Sequence, residues 1–240
     1  MDTIATLANN PMTTNQTLGF LNIAARIFLA GLASLSGSAL HAEESDSVYY
    51  AGFHLGRNDL DNWPAKVDFG AGIVVDGGMD LDSGKHVGLL LGKQSERARF
   101  ELEYQQGRFE LANLRLGPLS EPMGGSGHYE ALTLNAYRRI PLHGDLSGFV
   151  GAGIGWGAIS LPQAGFFGGC HCFPHASKSD WVYQGRLGLE YLIGAGNFAF
   201  AQYTWLKLPG AAEEVSSDGP GVVYPRRSVG IFSIGYRSLF

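Results

Sequence analysis

Residues 132–157 read "LTLNAYRRIPLHGDLSGFVGAGIGWG", two stretches of alternating hydrophobicity joined by a short link. On one parity fall Leu132 and Leu134 and, beyond the link, Val150, Ala152, Ile154 and Trp156. The other parity carries Asn135 and Tyr137, then Gly151, Gly153, Gly155 and Gly157. Successive side chains of a strand point to opposite faces, so this pattern predicts a β-hairpin with one apolar face. Its other face sets polar groups beside glycines, which leave room for long side chains.

The alternation recurs at 47–57, 79–92, 98–108, 128–139, 147–159, 180–193, 197–207 and 228–240, which predicts eight strands. Their connections alternate in length. "KQSER", "IPLHGDL" and "GAG" are short, whereas 58–78, 109–127, 160–179 and 208–227 are long. An up-and-down meander then gathers the long loops at one end and the tight turns, with both termini, at the other. The predicted fold class is all-β, an eight-stranded antiparallel up-and-down transmembrane β-barrel. The 35 glycines and 12% aromatic content suit short strands and turns. With a net charge of -5 and scattered basic residues, the chain has no patch that would follow a nucleic-acid backbone.

The first 42 residues differ from the rest. Asp2 and Arg26 are their only charges, and the apolar run "IFLAGLASLSGSALHA" follows Arg26 directly. This reads as a secretory signal peptide at 1–42, cleaved after Ala42, with Ala39 as a competing site and Met12 as an alternative start. Residues 43–240 form the predicted barrel domain. No later segment approaches the roughly 20 continuous apolar residues of a transmembrane helix.

Which face looks outward follows from the aromatic residues. On the apolar parity Trp156, Trp181 and Trp205 fall at the loop ends of their strands, near Tyr104, while Tyr49, Phe100, Tyr191 and Phe240 fall near the turn ends. Two aromatic belts around a band of Val, Leu, Ile and Ala match a lipid-facing surface. The opposite parity lines the interior with Arg99, Glu101, Glu103, Asn135, Tyr137, Gln184, Arg186, Glu190, Ser233 and Arg237. Three arginines beside three glutamates predict a mutually neutralising network rather than a paired-carboxylate active site. In the seventh strand this parity sends Phe198 and Phe200 inward, which sits poorly with a polar interior.

Together "FELEYQQ" (100–106), the stretch at 132–157, "YQGRLGLEYLI" (183–193) and the terminal "GYRSLF" (235–240) resemble the eight-stranded outer-membrane β-barrel proteins of the opacity-protein and OmpA-like group. The resemblance covers residues 47–240. It implies a Gram-negative outer membrane, a small closed barrel, and a C-terminal aromatic signal, Phe240 with Tyr236, read by the barrel-assembly machinery. Ser238 departs from the aromatic usual at its place.

Three further groups bear chemistry. Cys170 and Cys172, in "GGCHCFPHA", predict a disulfide in the third long loop; with His171 and His175 they also offer metal-ligand types, in a spacing that fits no standard zinc site. Ser126, His128 and Glu130 share a face at the top of the fourth strand, which raises a lipid A-modifying enzyme as a remote reading. Trp63, in the first long loop, is a candidate contact aromatic.

The leading expectation is a non-enzymatic, monomeric barrel without cofactor, structural or adhesive through four extracellular loops. Its partners would be outer-membrane lipid and lipopolysaccharide, the assembly machinery, and host or matrix surface molecules. A narrow pore for small solutes or ions is the alternative.

Overall fold

The computed structural model describes residues 48–60, 62–95, 98–166, 169–215 and 219–240; the leader expected at 1–42 lies outside them. The described residues form β1 (Val48–Asp59), β2 (Asn62–Asp68), β3 (Val74–Asp82), β4 (Gly84–Gln94), β5 (Ala98–Leu116), β6 (Leu119–Pro122), β7 (Ser126–His143), β8 (Leu146–Leu161), β9 (Ala164–Phe166), β10 (Cys170–Phe173), β11 (Ala176–Gly194), β12 (Asn197–Leu208), β13 (Ala211–Glu213), β14 (Gly221–Tyr224) and β15 (Arg227–Leu239).

Eight of these strands close a ring in the order β1, β4, β5, β7, β8, β11, β12, β15 and back to β1, every pair antiparallel. Closure satisfies the backbone groups that an edge would leave bare, the condition for a sheet to cross a membrane. The last rung is made at the terminus, where the Phe240 amide donates to the Tyr49 carbonyl at 2.9 Å.

The predicted strand at 79–92 is broken in two. Met79–Asp82 ends β3, and β4 starts at Gly84. The break has a steric cause: a Cβ at Gly84 would lie 1.6 Å from the Arg108 carbonyl oxygen, so only glycine lets the chain pass there. The Gly84 amide donates to Asn58 Oδ1 at 2.8 Å and fixes the start of the new strand.

The long connections, expected as loops, fold as strands as well. Alternation continues through Trp63, Ala65 and Val67 and again through Val222 and Tyr224, which gives each segment one buried face. β3 pairs with the far half of β5, β2 with β3, β14 with β2, and β13 with β14, so the barrel sheet continues through β5 beyond the rim as a cap. β9 and β10 form a separate hairpin. β11 stays paired with β8 as far as Ala176, but its ladder with β12 stops at Tyr183. Arg226 bridges the gap above, donating to the Trp181 carbonyl oxygen at 2.7 Å and to the Asp180 carboxylate at 2.5 Å.

Two regions fill the interior. Toward the cap, a continuous apolar core runs from Tyr129, Val182, Leu206 and Ile231 in the barrel wall to Trp63, Met79, Leu114, Phe173 and Tyr224 in the cap. Toward the short turns lies a polar layer with Tyr50, Leu90, Tyr137, Phe149 and Phe200 packed around it. Phe198 and Phe200 do point inward. The Arg237 guanidinium lies 4.2 Å over the Phe198 ring and His54 lies 6.4 Å from Phe200, so a polar interior accepts these rings by cation–π and ring contact.

The glycines of β8 make the polar layer possible. A Cβ at Gly151 would fall 2.3 Å from the Tyr137 ring, and one at Gly153 would fall 1.8 Å from Asn135 Oδ1. Gly151→Val is therefore expected to displace Tyr137 and lower stability by about 1–3 kcal/mol, the usual cost of overpacking. The outward substitution Ala152→Val should leave it unchanged. Urea midpoints of the two variants refolded in micelles check this, and equal midpoints would contradict the inward placement of Tyr137.

Candidate functional site

Among the described residues the interior network gathers every buried arginine and every buried glutamate but Glu130. β5 supplies Arg99, Glu101, Glu103 and Gln105, β11 supplies Gln184, Arg186 and Glu190, and β15 supplies Arg237, each at alternate positions and each buried. Glu103 sits at the centre. Its carboxylate accepts from Arg186 at 2.7 and 2.8 Å, from Asn135 and Gln184 at 3.0 Å each, and meets His54 Nε2 at 2.7 Å. Arg186 spends its other donors on Thr204 at 2.9 Å and on the Tyr137 hydroxyl at 2.8 Å. Below it, Glu101 accepts from Tyr50 and Tyr137, both at 2.9 Å.

A second cluster lies nearer the turns around Glu190, which accepts from Arg99 at 2.9 Å and from Arg237 at 2.8 Å. Arg139 Nε stands 3.0 Å from its other oxygen. The faces of the arginines rest on rings, Arg99 4.4 Å from Tyr137 and 4.7 Å from Phe149. Arg99, Arg186 and Arg237 thus face Glu101, Glu103 and Glu190 as a neutral set, the arrangement that offsets the desolvation of buried charge.

Sequence parity placed these six residues on one face, and the structure joins them. It also adds Tyr50, His54, His86, Gln105 and Arg139, which sequence reasoning did not single out. His86 stacks on His54 with centroids 5.2 Å apart and meets the Tyr129 hydroxyl at 3.0 Å. The signal was available in the first strand, where Tyr50, His54 and Asn58 share the parity opposite Phe53 and Leu55.

The other candidates fare differently. Trp63 is corrected from surface contact to core: it is 0% exposed, donates from Nε1 to the Pro225 carbonyl at 2.9 Å, and packs edge-on against Tyr224. An indole on the inner face of β2 is worth more to the cap as buried apolar area than at its surface. Burial in the same core pushes the Tyr224 phenol well above its usual range, so it stays neutral.

Cys170 and Cys172 are joined as a disulfide on β10, with Cα atoms 5.2 Å apart. His175 Nε2 meets Ser160 Oγ at 3.0 Å. Ser126, His128 and Glu130 lie on the outer face of β7 without a bond joining them among the described residues, and Glu130 instead accepts from the Tyr104 hydroxyl at 3.0 Å. Tyr236 and Phe240 are exposed on the outer face at the turn end, where the Tyr236 hydroxyl donates to Asn197 at 2.5 Å.

A closed antiparallel ring with an apolar outer band and an ion-paired polar interior defines a membrane-spanning barrel. The family model of the outer membrane protein beta-barrel domain matches residues 27–219. The chain belongs to that family, whose membrane is the bacterial outer membrane. Among solved structures it is similar to neisserial surface protein A, with 13% identity, a TM-score of 0.50, and coverage of 80% of this chain and 97% of that one. It is also similar to the outer membrane protein AlkL in lipid bilayers, with 15% identity, a TM-score of 0.52, and coverage of 84% and 94%. At such identities the likeness speaks for the fold. Compared with curated proteins, the chain finds no significant match.

The network yields a stability prediction. Arg186→Ala leaves Glu103 buried without its strongest donor and is expected to cost on the order of 3–5 kcal/mol. The charge-neutral double variant Arg186→Met with Glu103→Gln should cost less than that single change. Urea unfolding in micelles checks both, and a single variant as stable as the parent would contradict the central role of the pair.

Proposed function

We propose that the mature chain, freed of residues 1–42, is a monomeric surface-interaction barrel without enzymatic activity or cofactor. Its cap faces the outside of the cell and both termini face the periplasm. The observation that carries this reading is the build of the cap. Buried Trp63, Val67, Met79, Leu114, Val222 and Tyr224 hold it rigid from below, while Phe69, Ile73 and Val74 at the β2–β3 tip stay exposed with Val215 and Val223. A Cβ at Gly70 would touch Val215 at 3.8 Å, so the two exposed segments adjoin.

Apolar side chains held out by a packed scaffold mark a recognition surface, and a host or matrix molecule is the partner such a surface suits. The similarity to a neisserial surface protein accords with this role. Against a pore stand the cap core and the ion-paired layer, stacked along one axis. At the turn end the space between Gln94, Arg99, Tyr137 and Glu190 is a cleft of about 10 Å³, room for roughly one water molecule. Against lipid A hydrolysis stands the arrangement of Ser126, His128 and Glu130, which lacks the nucleophile-to-base contact such chemistry requires.

Replacing Phe69, Ile73 and Val74 together by serine is expected to weaken attachment of the protein to cells or matrix by roughly tenfold or more, the scale of a lost hot spot. The heat-dependent gel mobility of the closed barrel should persist. Attachment unchanged by the triple substitution would overturn the reading.

Phe240 serves assembly in this account. It is 59% exposed and makes one backbone bond, so its contribution to the finished barrel is small. Truncation at Leu239 should lower the amount inserted into the outer membrane in cells, whereas refolding yield in micelles should hold. Equal losses in both would make Phe240 a packing residue instead.

A further inference from the structure

The strand register sets basic side chains next to one another on the outer face, just beyond the apolar band. Arg57 of β1 lies opposite Lys85 of β4. The next rung of the ladder puts Lys85 beside Arg108 of β5, and Asn58 Nδ2 donates to the carbonyl oxygens of both, at 3.3 and 3.1 Å. Arg108 lies opposite His128 of β7, which lies opposite Ser160 of β8. His175 closes the row through its 3.0 Å contact with Ser160. Side chains opposed on adjacent strands stand about 5 Å apart, so these groups form one stripe across five strands.

Arg57, Lys85 and Arg108 are exposed, and none of them has an acidic partner within ion-pair distance among the described residues. The Arg57 guanidinium donates to the Ser83 hydroxyl at 2.6 Å. Arg226, Arg115 and Lys66, by contrast, pair with Asp180, Asp80 and Asp76. Toward the barrel's middle the outward positions next to the row are Leu55, Val87, Gln106 and Glu130, the last tied to Tyr104. One rung farther from that band the outward positions are Asp59, Asp82, Glu110 and Ser126, beside Ser83.

We propose that this row binds the phosphates of an outer-leaflet glycolipid of the lipid A class. The depth fits. Cations bordering an apolar band meet phosphate at the depth where acyl chains end. The rung of carboxylates and hydroxyls above repels a second layer of phosphate and hydrogen-bonds sugar hydroxyls, a thickness of polar surface that a sugar-phosphate headgroup spans and a phospholipid headgroup does not. The proposal rests on the outer-membrane orientation given above, with the cap outside.

The test uses the mature chain refolded in micelles and labelled diphosphoryl lipid A as the probe, so binding is read without reference to orientation; orientation itself is read separately by surface labelling of the cap in cells. The row variant Arg57→Gln/Lys85→Gln/Arg108→Gln is compared with the control Lys66→Gln/Lys93→Gln/Arg138→Gln. All six side chains are exposed, and heat-dependent mobility verifies closure of each protein. The row variant is expected to bind on the order of 100-fold more weakly, about fivefold for each charge, while the control binds as the parent does. Added salt should weaken the parent and leave the row variant nearly unaffected. If the triple variant does not close, the single variants carry the same test at about fivefold each. Equal binding by parent and row variant would overturn the proposal. So would equal loss in the control, or displacement of the probe by phosphatidylglycerol or inorganic phosphate as effectively as by unlabelled lipid A.

Discussion

Arg186 reaches across the barrel from β11 to Glu103 on β5, and the contact at 2.7 Å is the point around which the interior is arranged. In a lipid-surrounded shell an isolated charge is costly, so the pair must be accompanied by donors and acceptors for every remaining valence. His54 of β1, Thr133, Asn135 and Tyr137 of β7, Gln184 of β11 and Thr204 of β12 supply them. Such a cross-barrel contact needs slender walls where the long side chains run. The alternate glycines of β8 provide them, leaving Tyr137 and Asn135 the space that a methyl group would take.

The interior and the cap divide the work. In the half nearer the turns, polarity is internal and the outer surface is apolar, as lipid requires. In the half nearer the cap, the interior turns apolar and surface polarity returns, as water requires. The change falls at His86, Tyr129 and Asn58, where ring stacking and hydroxyl bonding join one regime to the other. A barrel packed in this way has its freedom at the rim, and there the exposed tip of the β2–β3 hairpin and the basic row are found.

Much of this was written in the period of the sequence. The number of strands in the barrel wall, the sense of each face and the six charged interior residues follow from alternation, because a period of two admits one inward set. The cap did not follow, since its strands are short and their partners distant: β14 meets β2 across more than half of the chain. Trp63 illustrates the difficulty. A tryptophan in a long connection reads as a surface contact until the connection proves to be a strand with a buried face. The break at Ser83 was hidden for a related reason, as alternation runs through it and only the steric demand at Gly84 separates the two strands. The basic row was invisible for want of register, because Arg57, Lys85, Arg108 and His128 are neighbours only once the ladders are known.

The central claim is that the barrel is filled along its axis and serves as a scaffold, not a conduit. Ion current through the purified mature chain in a planar lipid bilayer tests it most directly. A filled barrel leaves the bilayer at its baseline conductance after insertion, with insertion verified by the heat-dependent mobility of the recovered protein. Stable, repeated open-channel steps that scale with salt concentration would contradict it.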